Sequence, residues 1–203
     1  KKIPRDKRDC DFETCKGIAD FFAGIVDYKS EFTGKHSLGV AKKAAELAEY
    51  MGYSQADIEK FYMAGALHDI GKMAIGNEIL EKPGRLTDEE FSRMKNHAGY
   101  TYMILSEVKD FDEVRDWAAL HHEKLDGTGY PFGKKAEELN EPERLMACVD
   151  IYQALTEARP YKSGMSHDKA CSILEDMVQK GWIDAAVTDK LRSCFEVGGR
   201  DMV

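Results

Sequence analysis

The sequence has no apolar run near the ~18 residues that a membrane-spanning helix needs, and no signal-peptide pattern opens it. It has no surplus of positive charge. Its 29 Lys and Arg stand against 37 Asp and Glu, a formal net charge of −8, which excludes a general nucleic-acid binder with a broad basic face. A local basic pocket for phosphate stays open. The five cysteines are odd in number and irregularly spaced, so no disulfide framework is expected. Cys10 and Cys15 are close enough to pair or to share a zinc ion, but no second Cys/His pair stands at finger spacing. Reduced thiols in a cytoplasmic protein are the reading. No useful length alternates at period two, which argues against a sheet. There are no internal repeats and no low-complexity tracts.

What is present is helical. Hydrophobic residues at 43% and charged residues at 33% describe an ordinary globular chain, long enough to bury a sound core. The charged opening Lys1-Lys2-Ile3-Pro4-Arg5 reads as a cut end or linker, so residues 1–16 are expected to be a tail and 17–203 one all-α domain. Apolar residues at three- and four-residue steps predict helices over 17–28, 33–51 and from Ser54 to the His68-Asp69 pair. Ile70-Gly71-Lys72 breaks the third of these, and the segment to Gly84 reads as loop. A capping box at Thr87–Glu90 opens a helix to His97. Further helical patterns cover 98–105, 111–120, 141–156, 166–180 and 184–195.

Five of the six histidines, His36, His68, His97, His121 and His122, fall at helix ends or within helices beside apolar stripes. One such residue is ordinary packing. Five, with Asp69 and Asp150 in comparable places, point to a metal. Mixed imidazole and carboxylate donors suit Zn, Fe, Mn, Co or Ni, with no thiolates to single one out. The count also serves two ions. Asp69 can bridge, His36, His68 and Asp150 can complete one ion, and His97, His121 and His122 the other. Directly after the His pair, Asp126-Gly127-Thr128-Gly129-Tyr130-Pro131 must turn, since its glycines free the backbone and its proline fixes it.

The ordered set His36, His68-Asp69-Ile70-Gly71-Lys72, His97, His121-His122, Asp126–Pro131 and Asp150 resembles the HD-GYP family, a branch of the HD superfamily of metal-dependent phosphohydrolases. The likeness runs from about residue 30 to 180 and takes in Thr33-x-x-His36-Ser37, Asp150-x-Tyr152-x-Ala154-Leu155-Thr156 and Arg159-Pro160-Tyr161-Lys162. It implies a helical bundle with a dinuclear centre in its core, two divalent ions of iron or manganese, and hydrolysis of cyclic di-GMP to pGpG and, in some members, GMP. Its attacking group would be hydroxide. It also implies His36, His68, Asp69, His97, His121, His122 and Asp150 as metal ligands, with Asp69 and Lys72 catalytic. Lys72, Arg159 and Lys162 become phosphate contacts and Tyr130 a contact at the substrate pocket. The family usually joins this domain to a sensory or receiver domain, and a homodimer is compatible with it.

Two positions depart from the family pattern. Phe32 stands where some members place a carboxylate for a third metal, and Leu38-Gly39 where an Arg is frequent. Three rival readings stay open: hydrolysis of another cyclic dinucleotide such as cyclic GMP-AMP, a non-catalytic nucleotide receptor or scaffold, and a di-iron oxygenase. Among neighbouring residues, Glu123 is read as facing solvent, with orientation of an imidazole as the alternative. Asp126 is read as a turn builder, His167 as an exposed first-turn residue, Trp117 and Trp182 as packing, and Phe132 and Tyr161 as flanking the pocket.

Overall fold

Helix α3 (Gln55–Leu67) is buried without a break from Phe61 to Leu67, the mark of a helix surrounded by others. The computed structural model describes residues 11–29, 35–158 and 163–196. Of the residues singled out above, Cys10, Phe32, Thr33, Arg159, Tyr161 and Lys162 lie outside that set. Ser54 starts α3 by accepting the Asp57 N–H at 3.2 Å, a cap of about 1 kcal/mol. Helix α2 (His36–Tyr50) crosses it closely. A Cβ on Gly65 would lie 2.6 Å from Ala41 Cα, so only glycine lets the two backbones meet there.

Helix α1 (Phe12–Lys29) packs on α2 and α3. It begins inside the stretch expected as a tail, because Asp11 accepts the Thr14 N–H at 2.8 Å and caps it. After α3 the chain tightens into a 3₁₀ turn (Ile70–Ala74) and the single-turn α4 (Asn77–Leu80), where the sequence suggested only loop. Helix α5 (Asp88–Ser106) opens on the expected Thr87/Glu90 capping box and runs unbroken through His97, joining two separately read patterns. Helices α6 (Asp112–Ala119) and α7 (Glu141–Thr156) follow, with the Gly/Pro turn between them, and α8 (His167–Gln179) and α9 (Ala185–Glu196) complete the bundle.

No strand occurs among the described residues, as expected; one isolated bridge joins Asp126 and Lys135. Trp117 of α6 is buried and stacks on Phe61 at 4.4 Å between centroids, which fixes α6 against α3. No described helix is long and apolar enough to cross a membrane. The packing sets the C-terminal end of α3, the start of α2, the middle of α5, the end of α6 and the body of α7 around one point.

Candidate metal centre

That point is where the histidines gather. His68 follows the last residue of α3, and its Nδ1 bonds Gly65 O at 2.8 Å. His97 does the same to Met94 O at 2.8 Å, and His121 to Ala118 O at 2.6 Å. In each case a carbonyl three residues back takes the Nδ1 proton. That fixes the tautomer and leaves Nε2 as a bare lone pair. The Nε2 atoms of His68, His97 and His121 and Oδ1 of Asp69 are all buried without a hydrogen-bond partner. Buried polar atoms are seldom left so, and four converging orphan acceptors are what a cation would satisfy.

The donors fall into two groups, His97 with His121 and His122, and His36 with His68 and Asp69, the ligand atoms in each within 4.8 Å of one another. Asp150 joins the second. Its Oδ1 is 3.1 Å from His36 Nε2 and 3.6 Å from His68 Nε2. Asp69 stands between the groups. Its Oδ2 lies 3.2 Å from His68 Nε2 and its Oδ1 3.3 Å from His97 Nε2, so one carboxylate presents an oxygen to each. All seven histidine and aspartate positions predicted to ligate are therefore brought together, and the donor set fits divalent transition metals.

The electrostatics of the two groups differ. Burial lowers the pKa of His97, and drives that of His121 well below its ordinary value with help from His122. His122 is lowered by burial to about 4, against the pull of Asp150. These rings are neutral near pH 7 and ready to donate. On the other side burial also opposes charge, but carboxylates outweigh it. Asp150 and Glu157 hold His36 at about 10, and Asp69 raises His68. Asp69 and Asp150 are driven below the usual carboxylate range by their histidines despite burial.

Supporting contacts set these positions. Asp27 of α1, itself buried, accepts the Ser37 N–H at 3.1 Å and the Ser37 hydroxyl at 2.7 Å, pinning the start of α2 beside His36. Thr101 of α5 donates to His68 O at 2.9 Å and accepts the Gly71 N–H at 3.0 Å. A Cβ on Gly71 would lie 1.9 Å from His97 O, so glycine is what brings the 3₁₀ turn onto α5. Lys72, in that turn, reaches Asp69 Oδ2 at 2.6 Å.

Glu123 does not face solvent as expected. It is 4% exposed and accepts the N–H groups of Phe132 (2.7 Å), Gly133 (3.1 Å) and Lys134 (3.0 Å). A carboxylate in the core is tolerable only with such donors, and these three close the Gly/Pro turn around it. Gly129 permits the fold-back, since a Cβ there would lie 2.3 Å from Lys124 N. Asp126 builds the turn by accepting the Thr128 N–H at 2.9 Å, as expected. The turn lays Tyr130 on His122 with ring centroids 4.7 Å apart, and burial raises the tyrosine pKa, so the hydroxyl keeps its proton.

His167 is another correction. It is half-buried, with its Nδ1 2.9 Å from the Tyr152 hydroxyl, because α8 packs on α7. It takes no part in the centre. Trp182 packs as expected, its ring under Lys124 Nζ at 3.7 Å. Three of the larger cavities among the described residues bear on the site, one of them about 770 Å³ and lined by Lys35, Lys42, Lys43, Gln153 and Glu157. Another, of about 750 Å³ between α1, α3 and α5, is lined by apolar side chains such as Phe22, Met63 and Leu105, with nothing to hold a phosphate. The third, about 560 Å³, begins at Tyr130 and runs along α5 past Lys95, Asn96, Tyr102 and Phe132, and it adjoins the histidine cluster through Tyr130 on His122.

Residues 20–187 match the HD domain family model. The chain belongs to the HD domain family. It is 38% identical over 177 residues to the 3'3'-cGAMP-specific phosphodiesterase 1 of Vibrio cholerae, covering 87% of this chain and 41% of that protein. It is 40% identical over 167 residues to a cyclic di-GMP phosphodiesterase of the same organism, covering 75% of this chain and 34% of that one. The chain thus spans about two fifths or less of the length of these curated relatives. In fold it is similar to Bd1817, an HDG"Y"P protein from Bdellovibrio bacteriovorus, with a TM-score of 0.67 over 94% of this chain and 74% of that one at 17% identity. The likeness to HD-GYP proteins drawn from the motifs agrees with these matches.

Proposed function

We propose that this HD-domain chain is a metal-dependent phosphodiesterase that opens cyclic di-GMP to linear pGpG, with GMP as a further product, and that it works with two divalent ions of iron or manganese. The observation that carries the reading is Asp69, whose two carboxylate oxygens face the two histidine groups at 3.2 and 3.3 Å. Divalent ions held there would supply an activated water and neutralise charge on the phosphoryl oxygens. The chain's own part is positional. His97, His121 and His122 would hold one ion, His36, His68 and Asp150 the other, and Asp69 would join them. The Lys72 ammonium, 2.6 Å from Asp69, sits where charge on a phosphate beside the ions would develop. Arg159 and Lys162 supply the remaining phosphate contacts by their match to the family motif. Tyr130 flanks the pocket, and the cleft past Lys95, Tyr102 and Phe132 has aromatic faces for a base.

A second substrate has an observation of its own. Relatives 38% and 42% identical to this chain carry the name 3'3'-cGAMP-specific phosphodiesterase, so cyclic GMP-AMP shares the proposal. The test offers both cyclic dinucleotides to the iron- and manganese-loaded protein and identifies products by mass. Linear dinucleotide from cyclic di-GMP supports the main reading, and cleavage of cyclic GMP-AMP alone moves the assignment to the second. Tight binding of either without cleavage would overturn the enzyme reading in favour of a receptor. Control by a sensory or receiver domain, and pairing with a second copy, are part of the same proposal.

A further inference from the structure

Five imidazoles make up the centre, and three of them, His68, His97 and His121, give the ring N–H that faces away from it to a carbonyl three residues back. His36 is the first residue of α2. Its Nδ1 is instead 3.1 Å from Oε2 of Glu157, 121 residues away and just past the end of α7. Both side chains are shielded, 12% and 9% exposed, so water competes little for the contact. The other ring nitrogen, Nε2, faces Asp150 Oδ1 at 3.1 Å, on the side of the donor group.

We infer that Glu157 is a positioning residue: it accepts the Nδ1 proton of His36, fixes the ring so that Nε2 donates, and makes that imidazole the most electron-rich in the centre. A carboxylate behind a ligating histidine raises its basicity more than a carbonyl does. The start of α2 is a favourable place for such an anion, because the helix dipole is positive there. The two halves of the centre therefore differ in kind. In the His36 half, His68 is oriented by Gly65 O while His36 depends on the end of α7. In the other half, His97 and His121 are oriented by carbonyls three residues back. This inference rests on the metal-centre reading.

The test measures ions per chain and the affinity of each site for Mn²⁺ in the parent protein, Glu157→Ala and Glu157→Gln, with no substrate present. Thermal melting of the chelated proteins runs alongside. Glu157→Ala should weaken one of two sites by 10- to 100-fold and leave the other at its parent affinity. Glu157→Gln, whose amide oxygen still accepts the Nδ1 proton, should recover much of the loss. Equal affinities at both sites in all three proteins would overturn the inference. So would a lowered melting point of the chelated alanine variant with both sites weakened alike, which is what mere packing produces. A parent chain that takes up no Mn²⁺ would sink the inference and the metal centre together, a result distinct from a metal-replete parent that cleaves no cyclic dinucleotide.

Discussion

At the residue scale the centre is a set of lone pairs aimed by protons. His68, His97 and His121 each give Nδ1–H to a carbonyl three residues back, so their ligand atoms are chosen before any ion arrives. His36, and in the same direction His68, carries a cost that His97, His121 and His122 do not. Held at about 10 by Asp150 and Glu157 against burial, His36 is protonated at pH 7, and a cation must displace its Nε2 proton. Metal affinity at that half should therefore rise with pH, up to about tenfold per unit, and level off as pH passes about 10. The His122 side, near 4, should show almost no dependence above pH 6. Calorimetric titrations in buffers of different ionisation enthalpy will resolve net proton release at the first site and none at the second. Lys72→Ala should keep the ions and cut turnover by roughly 10²-fold. Loss of metal in that variant would mean that Lys72 serves the ligand and not the phosphate.

At the scale of elements, two contacts join the parts that carry the ligands. The 3₁₀ turn lies on α5 only because Gly71 has no side chain. Gly71→Ala should force the turn away from His97 O, destabilise the fold by about 1–3 kcal/mol and reduce metal content; an unchanged melting temperature and full loading would contradict the packing described. Glu123 holds the Gly/Pro turn through three N–H groups. Glu123→Ala, which leaves those donors without an acceptor in a buried place, should lower stability by at least about 2 kcal/mol, measured by denaturant unfolding, and weaken metal binding through His122. Much of this level was legible beforehand. Ser54 and Thr87 announced their helices by capping chemistry, and His68-Asp69 marked the end of α3. The start of α1 was not legible, because Asp11 and Thr14 form a local cap inside a stretch that composition alone marks as polar. Glu123 and Glu157 were beyond reach for a related reason. Whether a carboxylate faces water or three amides is decided by tertiary packing, and the partner of Glu157 is 121 residues away.

At the scale of the whole molecule, side chains from α2, α5, α7 and the segments after α3 and α6 converge on one point, so ions bound there would tie the bundle together. Any species that binds only the folded state stabilises it by mass action, by about 4 kcal/mol at a thousand times its dissociation constant. Chelation should accordingly lower the melting temperature, and Mn²⁺ should restore it. The seven positions predicted to ligate were legible as residues and order, and the structure brings them together; their convergence, and the split into two groups around Asp69, required the fold. The most direct test of the central claim is the metal content of the chain purified without chelator, beside that of Asp69→Ala, with cyclic di-GMP turnover measured in iron and manganese under anaerobic conditions. The account predicts about two ions per chain and linear product for the parent, with fewer ions and no turnover for the variant. Two ions retained by Asp69→Ala, or none bound by the parent under any loading, would contradict it.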